Sequence, residues 1–393
     1  MKRFAWILVI LFLASPAWAA KKITVQQLKE LLVSLQREKK TDTEVAAELK
    51  QVELTEELTR SAMNGLVSYV SGPSSTEQIY VLEARSAVLP PPAADLPATP
   101  APDAAVQKAI LDKAVDYTTK TYAQLPHLTA TKTTIRFQDN VEAIAALSGM
   151  NSGSVSLDPN LVQANRFIHY INSTEVPVDT QNGAEKVSTA KDKTPWGQNG
   201  YIALLGQGPV LSSVLQDAQT AGTISWLRLE TINKKTAAVY AFSVDKKKSH
   251  YAVNYCCFPA SEQTGVMHWS GTSSAGNMSG TYTASGNLQT HTTYDQYFKA
   301  TVPYHGEIFV DPDTGIVVRL VLQAEFKSSD DVQQEDQRID YGPVKVDATA
   351  LVLPVKTVIN TTVVPNGDSG SAKFVTRRTL FTSEYKNYQL AAH

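Results

Sequence analysis

The chain has 393 residues and a formal charge of −2, with 36 Lys and Arg against 38 Asp and Glu. That mixed, near-neutral balance leaves no electrostatic footprint for nucleic acid and no polybasic patch for a membrane surface. The length allows two folded units with ordinary cores, and a composition rich in Thr, Ser, Val, Ala and Tyr suits an exported sheet protein.

Residues 1–19 read as a cleavable secretory signal peptide. Lys2 and Arg3 form the positive start, Phe4 to Ala14 is an unbroken apolar run, Ser15-Pro16 breaks it, and Ala17-Trp18-Ala19 supplies the small-x-small cleavage pattern. The run is shorter than the roughly 20 residues that span a bilayer, so cleavage is favoured over a retained anchor. No later run is apolar enough to act as a transmembrane segment. The expected mature chain carries about −4 and is periplasmic or secreted.

Residues 20–88 read as a helical N-terminal unit. Thr24 with Gln27, and Thr41 with Glu44, are capping-box pairs. Leu28, Leu31, Leu32 and Leu35 form a stripe on the first helix, Val45, Ala46 and Leu49 on the second. Thr55 opens a third helix carrying Leu58, Met63, Leu66 and Val67, and 76–88 adds a further one. These stripes satisfy each other or dock on the main domain; a partner-binding helix pair is the alternative. Residues 89–102 hold six prolines in fourteen residues, which excludes helix and central strand. The segment is expected to be a semi-rigid linker on the order of 40 Å long when extended, with a proline-recognition motif as the other reading.

Residues 103–393 are expected to form an antiparallel-sheet domain with an entry helix. Asp103 caps that helix, whose inner face is Val106, Ile110, Leu111, Ala114, Val115, Thr118 and Tyr122, and Pro126 stops it. Strands follow at 129–138 and 166–172, then a short helix at 210–221. A three-strand meander is expected from Thr223 through Val244 to Tyr251–Cys257, and a long loop over the Gly/Ser/Thr-rich residues 259–290. The hairpin turning at Asp311-Pro312-Asp313-Thr314-Gly315 sets Val318, Leu320, Leu322, Ala324 and Phe326 on one face, and Arg319, Gln323 and Glu325 on a wet one. Further strands run through 338–341, 351–359 and 374–388. The fold class is α+β: a long curved antiparallel sheet with few helices.

No catalytic, cofactor or metal motif survives. Gly367-Asp368-Ser369-Gly370 matches a serine-protease nucleophile motif over four residues, but it lacks an upstream histidine element and reads as a turn. Gly149 to Gly153 and Gly271 to Ala275 fall short of G-x-S-x-G. Asp311-x-Asp313 starts like a calcium loop, but Gly315 and Leu322 stand where ligands are needed. The seven histidines show no zinc spacing. Cys256-Cys257 forms either two thiols with alternate facing or a vicinal disulfide, which neighbouring Cα atoms about 3.8 Å apart would strain; a redox switch is a further reading. Trp226, Tyr240, Phe242, Tyr251, Tyr255 and Phe309 fall on the sheet, where a concave face would hold a lipid or another apolar ligand, unless the helices pack there.

Several stretches resemble a family of uncharacterised exported bacterial proteins. They are Gly208-Pro209-Val210 through Asp217-Ala218, Ile224-Ser225-Trp226 through Glu230, Ala238-Val239-Tyr240 through Val244, Ser249-His250-Tyr251, Tyr304-His305-Gly306-Glu307 with the 311–315 turn, and Tyr341-Gly342-Pro343-Val344. The entry helix running into Gln124-Leu125-Pro126 and the Pro/Ala segment are similar too. The order of helix, hairpins and late strands also resembles the LolA/LolB/RseB-like fold, which implies an incomplete barrel around helices that binds acyl chains or lipoproteins. The leading expectation is therefore a non-enzymatic envelope protein that binds an apolar ligand or a protein partner on the sheet. A structural or assembly factor acting only through protein contacts is the alternative. A hydrolase, which needs His250 and His305 to meet Glu230 or Glu307 in one cleft, is the lesser one.

Overall fold

A computed structural model describes residues 21–139, 167–181, 183–186, 203–204, 208–220, 222–264, 270–275, 278–283, 289–363 and 377–391, with the side chains of 203, 257–296 and 377 outside that description. The Gly367–Gly370 and Gly149–Gly153 stretches lie outside the described residues, as does the signal segment.

The first helices form where their caps place them. Helix α1 (Val25–Arg37) starts at Thr24 and α2 (Asp42–Lys50) at Thr41, each with both hydrogen bonds of the capping box. Residues 52–54 depart from expectation. They form a short strand β2 (Val52–Leu54) parallel to β1 (Lys21–Ile23), so Thr55 donates its N–H to Ile23 instead of opening a helix. The third helix, α3 (Arg60–Leu66), is capped by Thr59 instead. Helix α4 (Pro73–Arg85) follows, with Pro73 in its first turn. Leu28, Leu32, Leu49, Leu58, Met63 and Ile79 close a core of their own.

Among the described residues the remaining helices and strands, short 3-10 turns aside, are α5 (Ala104–Lys120), α6 (Leu211–Thr220) and fifteen strands. The strands are β3 (Leu128–Asp139), β4 (Ile168–Gln181), β5 (Ala184–Glu185), β6 (Ala203–Leu204), β7 (Thr223–Ile232), β8 (Lys235–Val244), β9 (Ala252–Thr264), β10 (Ser270–Ala275), β11 (Met278–Thr283), β12 (Gln289–Thr301), β13 (Tyr304–Val310), β14 (Val317–Ala324), β15 (Val332–Val346), β16 (Thr349–Val363) and β17 (Arg377–Leu390). Ten of them make one sheet in the order β5-β4-β3-β17-β16-β15-β14-β13-β8-β7, antiparallel at every described pair and not closed into a barrel.

Three expectations change at this level. The meander stops at two strands: β13 takes the place beside β8, and β9 leaves to pair with β12 and β6 in a separate sheet. The region expected as a long loop contains strand, because Thr suits extended backbone even where Gly and Ser are frequent. A register shift at Phe309/Val310 brings Val317, not Val318, into the main core with Leu320 and Leu322.

Both faces of the sheet are covered. Helices α5 and α6 lie on one, where Ile110, Ala114, Leu211, Val214 and Leu215 pack with Tyr240, Phe242, Leu320 and Leu322. The α1–α4 layer lies on the other: Val81, Ala84 and Ala87 pack on Phe137, Ile168, Val358 and Leu380. Arg319, expected on a wet face, is consequently buried at 7% exposure. The proline-rich segment connects the two layers and does not run free. Pro90 accepts the Glu57 N–H at 2.8 Å, Leu89 packs on the helical core, and a 3-10 turn at Ala93–Asp95 lies against edge strand β7. At the other edge Pro177 sits in β4, where a missing N–H loses no ladder bond, and Glu77 takes the Tyr170 N–H at 3.0 Å.

Candidate functional site

The six aromatic residues predicted to meet a ligand do not line an open surface. Tyr240, Phe242, Tyr251 and Tyr255 are at most 3% exposed, in the core beneath α5 and α6. Tyr240 donates its hydroxyl to the Gln107 carbonyl of α5 at 2.5 Å, and half-buried Trp226 packs edge-on against the Tyr240 ring at 5.5 Å. Phe309 is on the opposite face, with the guanidiniums of Arg228 and Arg319 at 5.8 and 5.4 Å from its ring centre. Cys256 is disulfide-bonded, while the side chain of Cys257 lies outside the described residues.

The groups required for a hydrolase are dispersed. His250 pairs with Asp217 at 2.7 Å, His305 with Glu325 at 3.0 Å, and Glu230 and Glu307 both hold Arg228, at 2.6 and 2.8 Å. The 311–315 segment is a turn in which the Asp311 carboxylate accepts the N–H groups of Asp313 and Thr314. Among the described residues no group of three His, Cys, Asp or Glu side chains could hold a metal, and no helix is long and apolar enough to cross a membrane.

Two polar features were missed by sequence reasoning. On the face covered by α1–α4, Glu57 binds the buried guanidinium of Arg319, at 3.3 Å, and the partly buried one of Arg338. Asp340 holds the same two arginines, at 2.8 and 3.0 Å. Burial alone would raise the Asp340 carboxyl, but the charges of Arg338 and Arg319 outweigh it and hold the group well below the usual range. On the other face Glu335, 3% exposed, accepts the Tyr251 hydroxyl at 2.7 Å, and burial pushes its carboxyl up. The signal in sequence was only a run of charged residues in a strand pattern, which normally means a solvated face.

A cleft of about 320 Å³ opens between the helical layer and the sheet. One wall is apolar, built by Leu54, Leu82, Leu89 and Ile168. The other carries Arg85, from the last turn of α4, and Arg378, from β17. Arg85 has one carboxylate nearby, Glu53 at 3.8 Å. Burial, and after it the charge of Arg378, lower its guanidinium, while the charge of Glu53 acts the other way. Asp336 also lines the cleft; desolvation raises its carboxyl, and its oxygens take the side-chain amides of Gln323 and Gln334. The cleft therefore sets apolar side chains beside two arginines and two carboxylates, Glu53 and Asp336, and Arg85 and Arg378 are its groups able to take the anionic end of a molecule with an apolar body.

Comparisons with protein-family models, curated proteins and solved structures return no significant match.

Proposed function

We propose that this chain is an exported, non-enzymatic protein of the cell envelope that binds an anionic amphiphile, such as a fatty acid or acidic lipid. The site is the cleft beneath α4, not the aromatic face of the sheet. The observation that carries this reading is the pairing of Arg85 and Arg378 with the apolar wall of Leu54, Leu82, Leu89 and Ile168 in one cleft. Its volume is at the lower end of small-molecule sites, roughly 300–1,000 Å³. The signal-like N-terminus and the helix-then-hairpin order that resembles the LolA/LolB/RseB-like fold are consistent with it. With α5 and α6 packed on the aromatic face of the sheet, this reading places the ligand where two layers meet.

The test is titration of the mature chain with a fluorescent fatty acid, alongside native mass spectrometry of untreated and delipidated protein. Saturable uptake is expected, weakened about tenfold by Arg85→Gln or Arg378→Gln through loss of one charge-assisted contact. Absence of uptake by the wild-type chain refutes the reading, as does uptake indifferent to both substitutions.

A further inference from the structure

The arginine cleft carries a counter-ion of its own. Arg85 projects from the last turn of α4, and its ion-pair partner among the described residues is Glu53, in the middle of β2, at 3.8 Å. That separation is well beyond the charge-assisted hydrogen bond of about 2.7–2.9 Å, so Glu53 partly neutralises Arg85 without fixing it. The Glu53 side chain is also 41% exposed. Glu57, which joins the layers, differs in both respects: it is 5% exposed and takes Arg319 at 3.3 Å. The other acid of the cleft, Asp336, has its oxygens on the amides of Gln323 and Gln334. Of the two, Glu53 is the acid paired with an arginine and able to leave it.

An anion arriving at Arg85 meets a carboxylate already there, and like charges on one guanidinium repel. The strand pairing supplies an exit. Strand β1 runs parallel to β2 with Lys22 opposite Glu53, and paired residues of a ladder project to the same side. Ile23 and Leu54, the next pair, enter the helical core, which leaves Lys22 and Glu53 together on the outer face. Lys22 is exposed and forms no ion pair among the described residues. Adjacent strands are about 4.8 Å apart, so a change of Glu53 rotamer exchanges Arg85 for Lys22. Resting on the amphiphile reading above, we propose that Glu53 is the displaceable counter-ion of this site: it stays on Arg85 when no ligand is bound and turns to Lys22 when the anionic end of a ligand takes Arg85. Glu53 thereby sets selectivity. It keeps simple halide ions off Arg85, and it yields to a carboxylate that offers two oxygens to the guanidinium and an apolar body to Leu54, Leu82 and Leu89.

Isothermal titration calorimetry of the mature chain with decanoate and with 1-decanol tests this. Glu53→Gln is expected to tighten decanoate about threefold and to leave decanol as in the wild type, because only the anion competes with the carboxylate. Lys22→Gln is expected to weaken decanoate about twofold in the wild-type background and to have no effect in the Glu53→Gln background. Lys22 does not line the cleft, so a dependence of its effect on Glu53 reports the exchange itself. Circular dichroism of the variants checks that they fold. Failure of the wild type to take up decanoate overturns the amphiphile reading and this inference with it. Uptake that Glu53→Gln leaves unchanged or weakens, or tightening that extends equally to decanol, overturns this inference alone. So does a Lys22→Gln effect of equal size in both backgrounds, which would make the lysine a distant charge and not the acceptor of Glu53.

Discussion

Glu57 is one of the points at which the helical layer is fastened to the sheet electrostatically, with the Lys356–Glu83 pair at 2.5 Å as another, and Glu57→Ala measures its share. Its side chain is 5% exposed and binds guanidiniums that are 8% and 13% exposed. Removing one partner of a buried ion pair costs about 3–5 kcal/mol, because a charge is left without compensation. Here Asp340 still holds both arginines, so the expected loss is about 3 kcal/mol, at the lower end of that range. Urea unfolding reads the loss, and hydrogen exchange locates it: amides of α1–α4 are expected to lose protection while those of β14–β16 change less. Lys108→Ala is the control. Lys108 and Asp112 are 74% and 58% exposed, and such a pair contributes within about 0.5 kcal/mol. A Glu57→Ala variant within about 1 kcal/mol of wild type, or one whose α1–α4 amides keep their protection, refutes the claim that this network joins the layers.

Glu335 predicts a pH signature. Burial raises its carboxyl, and the hydroxyls of Tyr255 and Tyr251 offset this only in part. Between the unfolded value of about 4.3 and the higher folded one, the native state holds the extra proton, so stability declines as pH rises through that window. Glu335→Gln is expected to remove the decline and to be the more stable form at neutral pH; stability curves of the two proteins that run parallel across the window speak against it. Gly306 predicts a steric effect. A Cβ there would lie 1.9 Å from the Val321 carbonyl oxygen of the adjacent strand, so Gly306→Ala is expected to cost about 3 kcal/mol by denaturant midpoint, and an unchanged midpoint contradicts the β13–β14 register.

The candidate site shows the limits of pattern reading. Tyr240, Phe242, Tyr251 and Tyr255 were recognisable as sheet aromatics, but alternation says only that a face is apolar, not what covers it. Arg85 and Arg378 stand in line with unremarkable charges in sequence and become a pair only because α4 ends above the start of β17.

What sequence alone determined was local. The caps at Thr24, Thr41 and Asp103, the turn at 311–315 and the alternation in β8 each depend on atoms a few residues apart, and each is present. Tertiary structure decided which strand lies beside β8, which layer covers which face, and that the proline segment is a strap along an edge. Those outcomes turn on contacts such as Glu57 with Arg338, far apart along the chain, whose strength comes from burial that no short window of residues contains.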